Sequence, residues 1–366
     1  MVSESWLRLS LVPGVSLREQ VCLLRAFGSA ERVFTAPSGE IAAVVGDRAA
    51  SRLLRGPPAG VLDASIAWLE RPGHHLLAWG DAHFPKLLLE ISTPPCVLYV
   101  RGNPALLAEP AVAIVGSRNA SLQGVRDAES FAESLSREGF AIVSGLALGI
   151  DAAAHRGGLR GRGSSVAVIG TGPDQVYPLR NTALADELAA NGAIVSEFPP
   201  GTPPLRENFP RRNRLISGLA RGVLVVEAAL NSGSLITARC AAEQGRDVFA
   251  IPGSIHASLS KGCHRLIREG AKLVENAADV LEEWNCIPVV RGEPAGEVDS
   301  PRDQMLRAMG HGPVSIDELV ARTGSNAGAI AARLSMLEMR GAVSALAGGL
   351  FQRLSAQATA AKRVIE

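Results

Sequence analysis

The chain has 366 residues, 47% hydrophobic and 20% charged, with 38 glycines and a net charge of +1. That length exceeds one ordinary domain, so two or three separate cores are expected, and apolar runs punctuated by glycine read as a soluble α/β protein rather than a disordered one. A net charge of +1 excludes attraction of nucleic acid by bulk charge, so any polyanion site has to be built by local clustering.

Residues 1–75 read as short helices joined by turns, a small all-α module broken at Leu11-Val12-Pro13-Gly14-Val15. The turn at Pro13-Gly14 fits a helix-hairpin-helix phosphate contact and a plain turn equally. Glu4 precedes the first apolar residues and no continuous apolar core follows, which does not match a secretory signal. Residues 76–110 hold Pro85, Pro94, Pro95 and Pro104, and this spacing predicts an extended connector laid over the next domain.

From Ala111 onward, short β-branched runs alternate with helical patterns. VAIVG, AIVSG, SVAVIG, AIVSEF, GVLVVEA and DVFAIPG each precede a helix-like segment, which predicts a parallel sheet. In the first helix Val125, Ala128, Ala132 and Leu135 recur at helical spacing, with Arg126, Asp127, Glu129, Glu133 and Arg137 on the other side. The longest uncharged apolar stretch, 140–150, is about half of what a membrane span needs and reads as a buried strand plus turn. A last strand and helix at 272–274 and 276–284 close residues 111–285 as a doubly wound, Rossmann-like sheet domain of about seven strands.

Residues 286–301 turn to Pro, Gly and scattered charge, the composition of a linker. Helical patterns at 303–309, 315–322 and 326–340 then lead to two apolar pieces around Gly348-Gly349, the layout of a winged helix-turn-helix over 302–355. Its third helix offers Arg333 and Arg340 against Glu338, a thin footprint for duplex DNA. Residues 356–366 read as a flexible tail. The five cysteines (Cys22, Cys96, Cys240, Cys263, Cys286) lack zinc spacing, and so read as reduced thiols of a cytoplasmic protein without a metal.

Ligands of open α/β sheets bind at the carboxyl ends of the strands, where helix N-termini offer free N–H groups. Gly116-Ser117-Arg118, Ser144-Gly145, Gly170-Thr171-Gly172, Glu197 and Ser232-Gly233-Ser234 all fall there. The first loop is not GxGxxG and no acid ends the second strand, so dinucleotide binding is disfavoured. Arg118, at a helix start, opposes the helix dipole and calls for an anionic partner. The segment 206–214 adds four arginines (Arg206, Arg211, Arg212, Arg214), together with Asn208, Asn213 and Phe209, in what reads as a charged loop. An aromatic ring among arginines suits stacking on a nucleobase within a basic groove.

No GxxxxGK[ST], HExxH or GxSxG occurs, and no catalytic centre stands out. His155 beside Asp151 could be a base or a satisfied structural histidine. Glu197 and Glu227 could act as carboxylates, or could cap N–H groups and pair with the arginines.

The blocks GSRNAS, SGLALGIDAAAHRGGL, VYPLRN, SEFPPGTPPLRENFPRRNRLISGLA, VVEAALNSGSLITA and IPGSIHASLSKGCHRLIREGA resemble the DNA-processing protein A (DprA/Smf) family over at least residues 79–284. The resemblance implies an N-terminal SAM-like helical module and a C-terminal winged-helix domain flanking the sheet. It implies a cytoplasmic, non-enzymatic protein that binds incoming single-stranded DNA in natural transformation, protects it and loads the RecA recombinase. It also implies a homodimer built through the sheet domain, with no cofactor and no membrane. Carried over by motif, the DNA-binding residues are Gly116, Ser117, Arg118, Arg206, Phe209, Arg211, Arg212, Asn213 and Arg214.

Two other functions compete. A nucleotide-processing enzyme similar to lysine-decarboxylase-like phosphoribohydrolases would use Ser232-Gly233-Ser234 and Glu227, although the PGGxGT motif of that group is missing. A duplex-binding transcription regulator would use residues 303–353.

Overall fold

The computed structural model describes residues 4–286, 304–310, 312–346 and 348–354. They belong to two compact units, residues 1–288 and 289–366.

The first unit opens with short helices: Glu4–Leu11, Leu17–Phe27, Ala30–Thr35, Ser38–Val45, Asp47–Arg55 and Ala59–Leu69. Local chemistry sets their ends. Ser16 and Glu19 form a capping box at the second helix, and Gly28, at φ 84°, stops it in a left-handed conformation. Leu9, Leu23, Leu24, Ile41 and Leu53 are fully buried between the helices, and Leu76, Ala78, Val97 and Tyr99 from the first two strands complete the same core.

Those strands, β1 (His74–Ala78) and β2 (Val97–Gly102), correct the expectation of an extended connector. Pro85, Pro94, Pro95 and Pro104 all lie outside them, so the prolines divide the segment into two strands instead of preventing pairing. The remaining strands are β3 (Ala111–Val115), β4 (Ala141–Ser144), β5 (Ser165–Val168), β6 (Ala193–Ser196), β7 (Gly222–Val225), β8 (Asp247–Ala250) and β9 (Lys272–Leu273). The sheet has nine strands, in the order β1-β2-β6-β5-β4-β3-β7-β8-β9. β3 to β9 are parallel, as the β-branched runs predict, and β1 and β2 add an antiparallel edge through β6.

The winding positions the site. The chain runs outward from β3 to β6, then returns to lay β7 against the other side of β3. The helix after β3, Leu122–Arg137, buries Ala128, Ala132 and Leu135 on one face of the sheet, while the helix after β7, Ser234–Glu243, buries Ala238 and Ala241 on the other. The two loops therefore part at the β3/β7 boundary and leave a crevice, the switch point at which open α/β sheets bind ligands.

In the second unit, helices Gln304–Met309, Ile316–Thr323 and Ala327–Met339 accompany strands β10 (Val314–Ser315), β11 (Val343–Leu346) and β12 (Leu350–Arg353), in the order β10-β12-β11. This is the winged-helix layout with one more strand than expected, because two residues are too short to show an alternation. Val314, Leu319, Ile330, Leu334, Leu337 and Val343 form its core. Beyond Cys286, the expected linker lies outside the described residues, and so does the expected tail. Among the described residues no helix is long and apolar enough to cross a membrane.

Candidate nucleic-acid interface

The loop after β3 is fixed by close packing. A Cβ on Gly116 would lie 2.6 Å from Ile150 Cγ1 and 2.9 Å from the Glu227 carbonyl oxygen, so only glycine fits. The Ser117 amide donates to that same carbonyl at 2.7 Å, and the Ser117 carbonyl accepts from the Ile150 amide at 3.1 Å. The Glu227 carboxylate accepts from the Ser121 amide at 2.9 Å and the Ser121 hydroxyl at 2.5 Å, which anchors the start of the following helix. Held this way, the loop presents Arg118 to solvent.

The 206–214 segment is not the loop expected from its charge: a helix, Asn208–Leu219, begins inside it. Pro210 sits in the first turn, where its missing N–H has no intrahelical acceptor to lose. Helical rotation then gives the three arginines inside the helix different surroundings, and Arg206 stays outside it. Arg206 precedes the helix and is exposed; Arg211 is exposed and lies over the Phe198 ring, 5.3 Å from its centroid. Arg212 is buried, donates to the Val168 carbonyl at the end of β5, and faces Asp151. Arg214 is paired with Glu197, both side chains mostly buried.

A cavity of about 830 Å³ occupies the switch point. Gly116, Ser117 and Arg118 line it from the first loop, and Arg206, Phe209, Arg212 and Asn213 line it from the second segment. Residues 231–234, at the start of the helix after β7, close the third side. Arg118 and Arg206, far apart in sequence, thus meet at one cavity. Arg211 lies instead on a smaller cavity of about 260 Å³ beside Glu197 and Phe198, and Arg214 is turned inward to Glu197.

The electrostatics favour an anion. Asp151 is the one carboxylate lining the larger cavity, against Arg118, Arg206 and Arg212. Its Oδ2 accepts from the amides of Gly145 at 3.2 Å and Ala147 at 3.3 Å. Burial pushes the Asp151 carboxyl above its ordinary range, and the Arg212 guanidinium opposes that shift. Burial likewise lowers Arg212, to about 10. Arg212 and Asp151 offset one another in the interior, which leaves Arg118 and Arg206 as the exposed cations at the mouth.

The other titratable groups singled out in the sequence are structural. His155 is fully buried, with Nδ1 2.8 Å from the Ser165 hydroxyl and Nε2 accepting from the Leu146 amide at 3.3 Å. Burial, reinforced by Arg212 and Arg156, holds its pKa down at about 3. Burial raises the Glu197 carboxyl, partly countered by Arg214. Among the described residues no cluster of His, Cys, Asp or Glu could hold a metal ion.

Sequence reasoning gave no role to Tyr177. It lies in the loop after β5, lines the larger cavity and is 47% exposed, with its ring 5.6 Å from that of Phe209. The available signal was an aromatic residue in a strand-end loop, within the block VYPLRN.

Fold and cavity define the class: a doubly wound α/β protein with a cationic crevice at its switch point, continued in the same chain by a winged-helix unit. The family model of DNA recombination-mediator protein A matches residues 75–285, and that of the DprA winged helix domain matches residues 291–349. Protein Smf of Escherichia coli strain K12 is 42% identical over 312 residues, covering 82% of this chain and 83% of the relative. DNA processing protein DprA of Streptococcus pneumoniae is 52% identical over 204 residues, covering 56% of this chain and 72% of the relative. The crystal structure of DNA processing protein A from Streptococcus pneumoniae matches with a TM-score of 0.69 at 40% identity, over 77% of this chain and 98% of that one. The structure of DNA processing protein A from Helicobacter pylori, described for its single-stranded DNA binding mode, matches with a TM-score of 0.53 at 30% identity, over 58% of this chain and 95% of that one.

The chain belongs to the DNA-processing protein A (DprA/Smf) family.

Proposed function

We propose that this protein binds single-stranded DNA, without base preference, in the cavity at the β3/β7 switch point. The observation that carries the reading is the convergence of Arg118 and Arg206 on one cavity that also holds Phe209. Guanidinium groups at the mouth take phosphates, and the ring takes the face of a base. Gly116 and Ser117 fix the loop that presents Arg118 to the cavity, and Asn213 adds a side-chain amide on the same wall. Arg212 and Arg214 serve from behind: they hold the helix Asn208–Leu219 against β5 and Glu197. Arg211 extends the basic surface toward Phe198.

In this reading the protein shields incoming single strands during natural transformation, loads RecA onto them and acts as a homodimer through its sheet domain. Binding, not cleavage, is its role. The carboxylate that a nucleotide-processing reading needs, Glu227, is engaged by the Ser121 amide and hydroxyl.

Fluorescence anisotropy with labelled oligothymidine tests the site. Arg118→Ala and Arg206→Ala should each weaken binding, and each should reduce the slope of log affinity against log salt by about 0.7, the loss of one phosphate contact on a single strand. Unchanged affinity and slope in both variants would remove the site.

A further inference from the structure

Tyr177 stands at the edge of the cavity, beside Phe209. It is 47% exposed, and its hydroxyl has no hydrogen-bond partner among the described residues. Its loop, by contrast, is pinned on both sides. The Gly172 amide donates to the Thr202 carbonyl at 2.9 Å, and the Asp174 carboxylate accepts from the Gly201 amide at 2.8 Å. Beyond the tyrosine, the Asn181 side chain donates to the Leu146 carbonyl at 2.9 Å. A loop pinned by these bonds thus holds a half-exposed aromatic ring beside Phe209 at the edge of the cavity, an arrangement that lowers the ordering cost of binding a flat ligand.

The neighbouring ring defines what that ligand meets. The centroids of Tyr177 and Phe209 are 5.6 Å apart and their planes are tilted by 46°. A base sandwiched between two rings needs roughly 7 Å, twice the ~3.4 Å rise of stacked bases, so nothing flat fits between them. Phe209 is backed by Gly170, where a Cβ would come within 3.1 Å of its ring. The two rings therefore form a stepped ledge rather than a slot.

We propose that Tyr177 is a second base-stacking residue, which takes the base adjacent to the one on Phe209 while Arg118 and Arg206 hold the phosphates. The proposal rests on the reading of the cavity as a single-strand site. It makes the ledge a two-base grip that tolerates any sequence, because every base has a π-face.

Anisotropy at fixed salt tests it with the full chain, using Tyr177→Ala, Tyr177→Phe and Phe209→Ala on oligothymidine and on a strand of the same length with abasic central positions. Tyr177→Ala should bind oligothymidine about tenfold more weakly, Tyr177→Phe should stay within about twofold of the parent, and the alanine defect should vanish on the abasic strand. Parental affinity in Tyr177→Ala alongside a weakened Phe209→Ala would overturn the proposal and leave the single-strand site standing. An equal defect on the abasic strand would also overturn it. If Phe209→Ala, Arg118→Ala and Arg206→Ala all bind as the parent does, the site itself falls, and this proposal with it.

Discussion

Arg118 and Arg206 differ from Arg212 and Arg214 in what neutralises them. The first two are exposed at the cavity mouth, whereas the second two are buried against Asp151 and Glu197. The sequence placed Arg206, Arg212 and Arg214 in one basic segment, because a run of arginines carries no sign of which way each will point. Helix phase decides it, and Pro210 concealed the helix. A buried partner also changes the consequence of mutation. Glu197→Ala leaves the Arg214 charge uncompensated in the interior and should lower stability by about 3–5 kcal/mol, measured by urea unfolding, while Glu197→Ala combined with Arg214→Met should recover much of the loss. His155 gives a pH signature. Its pKa is about 3 in the folded protein against an ordinary 6.5, so within that window the unfolded chain binds the extra proton. Stability from the neutral ring is complete above about pH 6.5 and declines as pH falls toward 3. His155→Gln should therefore show a shallower loss of unfolding free energy over that range than the parent; identical slopes would contradict the assignment.

At the scale of elements, the parallel strands were readable because burial on both faces leaves continuous runs of Val, Ile and Ala, as in β3, where every residue is buried. β1 and β2 were not, because the prolines between them outweighed two short apolar runs. The ledge was half visible: Phe209 stood out among charges, whereas Tyr177 sits in an uncharged loop whose proximity to the helix Asn208–Leu219 exists only in three dimensions. The turn after β4 shows how tightly these loops are set against one another. A Cβ on Gly145 would fall 2.3 Å from Arg212 Nη1 and 2.7 Å from Asp151 Oδ2. Gly145→Ala should thus push the buried pair apart and cost about 1–3 kcal/mol of stability in chemical denaturation, whereas Gly233→Ala, with open space around its Cβ, should cost much less.

For the whole molecule, the cleft is a consequence of topology. Strand order alone brings the loop after β3 beside the loop after β7, and the long excursion through β4, β5 and β6 returns the arginine-bearing segment to the same edge. A near-neutral chain thereby acquires a local cationic crevice without an overall field. The family assignment fits this picture, since the matched region, residues 75–285, contains every strand of the sheet but the first residue of β1.

Photocrosslinking separates binding at the switch point from binding by the winged-helix unit. A single strand carrying 5-iododeoxyuridine, irradiated in complex with the full chain and analysed by mass spectrometry after digestion, should attach within the loop after β3, at Tyr177 or within residues 206–213. Crosslinks confined to residues 304–354, with none around the switch point, would contradict binding in the cavity.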